Sequence, residues 1–390
     1  VTDADGGSEA TGGRVKGGSG SSSAWGSPRS TGERAPSPSL NSGAASPSPG
    51  AGRSALVTGA AGFVGRWLCR ELLSQGWNVT ALSLDPVADD TRHPNGGSAA
   101  GSGQQLPGTH AVANLPVQEI HWLHGDVRDA RLLARAVDES TPDAVFHLAG
   151  VSFVPGADAD PGEAFDVNVT ATARLLSVIA ARRASGTMDP SVVIVGSAEQ
   201  YGRHDADEMP LMETAEQSPL GVYGATKAAQ EIAALQRWRK DGVRVIATRP
   251  FNHSGAGQSD RFLLPALVRR ALELRESGGR SLPIGNTTPV RDISHVADVV
   301  GAYILLAEHG VPGVSYNVCS GQGSSVGELA QLILSRVGAD AVLEPDPALV
   351  RASDVPVLVG SPARLVEATG WAPTRTLDDL IDDLIHAATH

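Results

Sequence analysis

The stretch 55-ALVTGAAGFVGRWL-68 runs a short apolar segment into a helical pattern through glycines at 59, 62 and 65. Val and Leu followed at once by glycine read as a buried strand ending in a tight turn. Gly59 permits the turn, Gly62 lets the backbone come close to a pyrophosphate, and Gly65 lets the new helix pack against the strand. Phe63 and Val64 fall in the first helical turn, whose free N–H groups and positive dipole end suit a phosphate. Glycine spacing alone is weak evidence. Its place between a first strand and a helix points to a dinucleotide site.

Outward from this loop, short apolar runs alternate with helical patterns. Strands are expected at 55–59, 78–84, 119–127, 144–150, 191–197 and 243–250, and helices over about 62–75, 128–139, 162–183 and 219–240. Apolar strands separated by helices imply a parallel sheet covered on both faces. The expected fold is therefore α/β: a doubly wound, Rossmann-like parallel sheet with a smaller C-terminal α/β lobe for substrate. Residues 53–250 are assigned to the dinucleotide-binding domain and 251–390 to the lobe. Gly, Ser and Pro fill more than half of the first 50 positions. Such a segment buries too little apolar surface to offset its ordering entropy, so residues 1–52 are expected to be a disordered tail. The stretch 86–108 reads as a disordered-like surface loop.

The net charge of −12 argues against nucleic acid or an anionic membrane as the partner. No apolar run is expected to reach the length of a membrane span, and no charged segment followed by an apolar one opens the chain. Cys69 and Cys319 are the only cysteines. They are far apart and outside any CxxC, so neither a disulfide framework nor a metal site is expected. A reducing cytoplasm fits this usage.

The chemistry is expected in 220-LGVYGATKAAQE-231. The chain has only three lysines, Lys16, Lys227 and Lys240, yet one stands four places after one of its four tyrosines. Tyr223 and Lys227 share a helix face at i, i+4. A phenol with a pKa near 10 is a poor acid–base group at neutral pH, and a neighbouring cation is expected to lower it. Ser197, at the end of the fifth strand in 196-GSAEQYG-202, would face the same crevice and donate to a reacting oxygen, with Glu199 two residues on. Asp126 and Val127 end the third strand and are placed to reach an adenine edge; for Asp126 the plainer alternative is a helix cap. At the end of the second strand Ser83 occupies the position that would select the cofactor, while Asp85 leans to NAD and Arg66 to NADP. NAD(P)H is expected, with the choice open. His147 and His253 are expected to be packed, hydrogen-bonded histidines.

A Gly-rich loop, a strand-end serine and Tyr-x-x-x-Lys in that order resemble the extended short-chain dehydrogenase/reductase family. Further stretches, 145-VFHLAG-150, 249-RPFNHSGAGQ-258, 291-RDISHVADVV-300, 316-YNVCSGQ-322 and 354-DVPVLVGSPARLVEATGWAP-373, resemble the GDP-4-keto-6-deoxy-D-mannose reductases, which form GDP-D-rhamnose. The resemblance implies NAD(P)H-dependent reduction of a GDP-sugar by a homodimer. Gly59, Gly62, Gly65, Asp126, Leu148, Ala149 and Gly150 would hold the cofactor. Ser197, Tyr223 and Lys227 would do the chemistry beside Glu199, with Asn252, Arg291 and Arg351 for the sugar-nucleotide diphosphate and Phe262 for its base. Two arginines suit a diphosphate because each fork donates bidentately; taken singly, each would be a surface ion pair. Ala256 stands where the resembled loop carries proline, which is expected to loosen that loop. The alternative enzyme is a GDP-mannose 4,6-dehydratase or related epimerase, with Glu199 as base. The alternative of another class is a non-catalytic nucleotide-binding protein.

Overall fold

In the computed structural model the described residues are 52–84, 117–350 and 355–389. The expected tail at 1–52, save its last residue, the 86–108 loop, Asp85 and Arg351 lie outside them. In chain order the elements are β1 (Ser54–Thr58), α1 (Phe63–Ser74), β2 (Asn78–Ser83), β3 (Ile120–His124), α2 (Ala130–Ser140), β4 (Ala144–His147), α3 (Val154–Ala159) and α4 (Pro161–Phe165). A π-helical turn, Asp166–Thr170, joins α4 to α5 (Ala171–Ala184), followed by β5 (Ser191–Val195), α6 (Val222–Asp241), β6 (Arg244–Pro250) and β7 (Asn252–Ser254). Then come α7 (Leu263–Ser277), β8 (Ser281–Ile284), β9 (Val290–His295), α8 (Val296–His309), β10 (Ser315–Val318) and β11 (Gly323–Ser325). The chain ends with α9 (Val326–Val337), β12 (Val342–Pro345), β13 (Val357–Leu358), α10 (Ala363–Thr369) and α11 (Leu377–Thr389).

Seven strands form one sheet in the order β10-β6-β5-β4-β1-β2-β3, and every pairing in it is parallel. Alternation along β1 supplies both faces: Ala55 and Val57 join the core under α1 and α8, while Leu56 joins the core under α2, α5 and α6. Strand order reverses between β1 and β4, so a crevice opens there at the carboxyl ends. The seventh strand, β10, comes from the part of the chain expected in the smaller lobe. In the rest of that part, β9 pairs with β7, β11 and β13, and β12 pairs with β8. Helices α7, α9 and α11 cover a separate core there.

One expectation is corrected. Pro161–Ala184 forms a continuous 24-residue helical run containing an 18-residue window of mean hydropathy 1.3, long and apolar enough by length and composition to cross a membrane. Here it is a core helix: Leu175, Leu176 and Ile179 are buried against the sheet, and α5 packs between α2 and α6. Small residues and the polar turn at 166–170 masked its length in the sequence.

Candidate active site

The turn after β1 has the geometry its glycines allow. Gly59 sits at φ 71°, a left-handed conformation that glycine adopts without strain. A side chain at Gly65 would overlap Gly59 O and come within 2.7 Å of the Ala60 Cα. No side chain caps the N-terminus of α1 and its first turn holds no acid. These N–H groups, including those at Phe63 and Val64, remain available to an anion. Thus the loop and helix fit a dinucleotide pyrophosphate.

Along the crevice, Leu148 donates its N–H to Thr58 O at 3.2 Å, and Ala149 donates to Thr58 Oγ1 at 3.3 Å. Gly150 is exposed, yet a Cβ there would stand 2.7 Å from Asn168 Oδ1 and 3.3 Å from Lys227 Nζ. Only a bare backbone fits beside that lysine. Ser83 is buried at the end of β2, and Arg66 Nε donates to Ala61 O at 2.9 Å. Asp126 does not cap α2; Asp129 does. Asp126 instead accepts from Arg128 N at 2.8 Å, Nε at 2.9 Å and Nη2 at 2.6 Å, and the Arg128 hydrogen bond holds its carboxyl below the usual range. The Val127 side chain packs into the core with Leu56 and Leu123.

Ser197, Tyr223 and Lys227 come together at the carboxyl ends of β4 and β5. Ser197 begins a short 3-10 turn, Ala198–Gln200, its Oγ accepting from Glu199 N at 3.1 Å. The Tyr223 hydroxyl is hydrogen-bonded to Ser197. One turn on, Lys227 is buried and donates to Val195 O and Gln230 Oε1, both at 2.9 Å. The lowered phenol pKa expected from the sequence is absent without ligands. Burial pushes the Tyr223 phenol up to about 12; the Ser197 bond pulls it down and the Glu199 charge pushes it up. Burial brings the Lys227 ammonium down to about 8. The lysine is committed to a carbonyl and an amide, so its charge is not directed at the phenol.

Asn168 completes this cluster, and the sequence reading missed it. It is buried in the π-turn, accepts from Val151 N at 2.8 Å and donates to Thr226 Oγ1 at 2.8 Å. The signal was present: Asp166, Asn168 and Thr170 interrupt an apolar helical pattern, and a π-turn inside a helix commonly marks a functional site.

The remaining candidates lie around the rim. Asn252 is exposed on β7, directly past the end of β6. Phe262 packs edge-on against Phe153, ring centroids 6.3 Å apart. Arg291, on β9, donates to Val290 O at 2.9 Å and Val355 O at 2.7 Å. His253 bonds Phe251 O at 2.9 Å and stacks over Phe63 at 6.4 Å, and His147 is bonded through both ring nitrogens. Both histidines are packed as expected. The Ala256 loop is not loosened: Ala256 N donates to Asp383 Oδ2 at 3.0 Å, a bond proline could not make, and Ala256 O accepts from Trp67 Nε1 at 3.1 Å.

A parallel sheet with a glycine cradle at its switch point and a Ser–Tyr–Lys cluster beside it defines an NAD(P)-dependent oxidoreductase of the extended short-chain dehydrogenase/reductase class. The profile of the GDP-mannose 4,6 dehydratase family matches residues 56–384, and the chain belongs to that family of nucleotide-sugar dehydratases, reductases and epimerases. It is 36% identical over 237 residues to a GDP-6-deoxy-D-mannose reductase of Pseudomonas aeruginosa, covering 60% of this chain and 77% of that protein. The solved structure of RMD from Pseudomonas aeruginosa complexed with NADPH superimposes with a TM-score of 0.68 at 28% identity, over 86% of this chain and 98% of that one. UDP-glucose 4-epimerase of Thermus thermophilus, complexed with NAD, shares the fold with a TM-score of 0.69 at 24% identity, over 86% and 98%.

Proposed function

We propose that the protein reduces the C4 ketone of GDP-4-keto-6-deoxy-D-mannose to GDP-D-rhamnose. One observation supports the reading: Tyr223, whose phenol is protonated at neutral pH, is bonded to Ser197 at the crevice. A reduction needs a loaded acid there, whereas an oxidation would begin by needing a base. NAD(P)H, held by Gly59, Gly62, Gly65 and the backbone from Leu148 to Gly150, supplies the hydride. Ser197 donates to the carbonyl oxygen, Tyr223 delivers the proton to the oxygen as its charge develops, and Lys227 would donate to the nicotinamide ribose. The 36% identity to a GDP-6-deoxy-D-mannose reductase supports the choice of substrate.

In this reading the part of residues 251–390 outside the main sheet and its covering helices forms the sugar-nucleotide lobe, since β10 belongs to the main sheet, with Asn252, Phe262, Arg291 and Arg351 as its binding residues. We also read the pair α5 and α6 as a homodimer face, because Phe165, just ahead of α5, and Ile232, on α6, expose 42% and 63% of their surface there. Cys69 and Cys319 are buried and unpaired, which fits a reducing cytoplasm.

A second reading, a 4,6-dehydratase, is favoured by Glu199, whose charge acts on Tyr223 and which would remove a C5 proton. One assay separates the two. With GDP-4-keto-6-deoxymannose, a reductase consumes one reduced cofactor per turnover; with GDP-mannose alone, a dehydratase forms a 4-keto product without net cofactor change. Tyr223→Phe should abolish the reduction, and unchanged turnover would remove the proton donor from the scheme.

A further inference from the structure

A closed chain of buried hydrogen bonds runs from the site lysine to the cofactor-lining backbone. Lys227 Nζ meets Gln230 Oε1 at 2.9 Å, and Gln230 Nε2 meets Thr172 Oγ1 at 2.8 Å. Thr172 Oγ1 lies 2.8 Å from His147 Nε2 and 2.7 Å from Asn168 O. On the far side, Thr58 Oγ1 lies 2.8 Å from His147 Nδ1 and accepts from Ala149 N at 3.3 Å. Thr58, His147, Thr172 and Gln230 are each fully buried.

Counting protons fixes every direction in this chain. The Asn168 carbonyl can only accept, so the single Thr172 hydroxyl hydrogen goes to it. Both Thr172 lone pairs then accept, one from Gln230 Nε2 and the other from His147 Nε2. His147 therefore carries a proton on Nε2, and with the buried ring neutral Nδ1 accepts from the Thr58 hydroxyl. Burial, with the Lys227 charge adding to it, brings the His147 pKa down to about 3, in keeping with that tautomer. The Gln230 amide has one permitted orientation. Turning it over would set its NH2 against the ammonium and its carbonyl against an oxygen that has no hydrogen left to give.

We propose that Gln230 is the positioning residue for Lys227: its amide, locked through Thr172, His147 and Thr58 to the Ala149 backbone, holds the ammonium in place and in its charged form. Two of the three Lys227 donors go to Val195 O and Gln230 Oε1, which leaves the third for a ligand in the crevice. This rests on the reading of Lys227 as part of the site.

The Lys227 charge acts on His147 on β4; the other titratable or charged groups nearby interact with one another, Tyr223 on α6 with Glu199 after β5 and Tyr303 on α8, and Glu231 on α6 with Arg249 on β6. Substitution at residue 230 leaves each of these side chains in the sequence, and only His147 is linked to it, through Thr172. With only three lysines in the chain, lysine side-chain labelling gives three resonances, assigned with Lys227→Met and Lys240→Arg. The Lys227 signal can then be titrated in the cofactor-free protein. Gln230→Glu, which keeps the acceptor and adds a charge, should raise the Lys227 midpoint by about 1 to 3 units. Gln230→Leu, which removes the acceptor, should lower it. The alkaline limb of kcat/KM should move in the same opposite senses, and kcat of Gln230→Leu should fall about 10- to 100-fold. Midpoints that stay put in both variants, or move the same way, overturn the proposal. If Lys227→Met keeps full turnover, the reading of the site falls and this inference with it. If Lys227→Met is inactive while the residue-230 variants titrate like the native protein, the inference alone falls.

Discussion

Arg249→Met should destabilise the protein by about 3 kcal/mol, the low end for breaking a buried ion pair. Arg249 and Glu231 expose 5% and 4% of their side chains, so solvent screens them little. The guanidinium donates to Glu231 Oε2 at 2.9 Å and Oε1 at 2.7 Å, to the Tyr201 hydroxyl at 2.9 Å and to Glu213 O at 3.0 Å. In the variant the Glu231 carboxylate keeps Gln200 Nε2 and Ser315 Oγ, each at 2.8 Å. These two bonds place the loss at the low end of the range. Burial pushes the native Glu231 up, and the Arg249 bond and charge bring it below the ordinary value. That contribution is present above the unfolded-state value and is lost as pH falls through the folded one. Without Arg249, burial leaves the folded carboxyl raised. Its contribution is then present below the unfolded-state value, near 4.5, and lost as pH rises through the folded one. The deficit of the variant should therefore be large at pH 8 and shrink toward pH 5. Urea denaturation at a series of pH values measures it. A deficit below about 1 kcal/mol, or one that is constant over that span, would refute the argument. Glu231 also holds Gln200, whose Oε1 accepts from Ser197 N at 2.8 Å, so turnover should fall along with stability.

Gly65→Ala should weaken NAD(P)H binding at least 10-fold, read by quenching of cofactor fluorescence, because the new methyl overlaps the Gly59 carbonyl and sits 2.7 Å from the Ala60 Cα; native affinity would show that the helix shifts freely. In the reduction direction kcat/KM should fall above a pH of about 8 as Lys227 loses its charge, and a flat profile through pH 9.5 would contradict this. The same group makes stability rise with pH between about 8 and its unfolded value of 10.5, since there only the unfolded chain keeps the proton. Ala256→Pro deletes the N–H bonded to Asp383 and should cost about 1 to 3 kcal/mol by denaturant titration, with most of the effect gone in an Asp383→Ala background.

What was legible in the sequence follows from the range of the interactions concerned. The six strands of the main sheet read from local pattern were found within a few residues of their positions, because a strand buried on both faces must be a short apolar run bounded by breakers. The seventh, SYNV at 315–318, is paired with Thr248 and its neighbours across some seventy residues. Nothing within four residues announces that pairing. Ser197, Tyr223 and Lys227 were legible because strand ends and helix spacing put them on one crevice. His147 was legible as a packed histidine but its link to Gln230 was not, since Gln230 reads as an ordinary polar residue until the protons are counted around Thr172. The error over Tyr223 has the same origin. Sequence spacing places an ammonium four residues from a phenol, and the expectation of a lowered pKa assumes that the ammonium points there. In the fold its bonds go to Val195 and Gln230, and the phenol, buried and facing Glu199, stays protonated. A proton held this firmly leaves only when something more basic arrives, and the developing C4 alkoxide of a reduced ketone is such a base. In the proposed reduction the resting site would thereby be set for donation, and the lysine would enter once a ribose hydroxyl occupied its third donor.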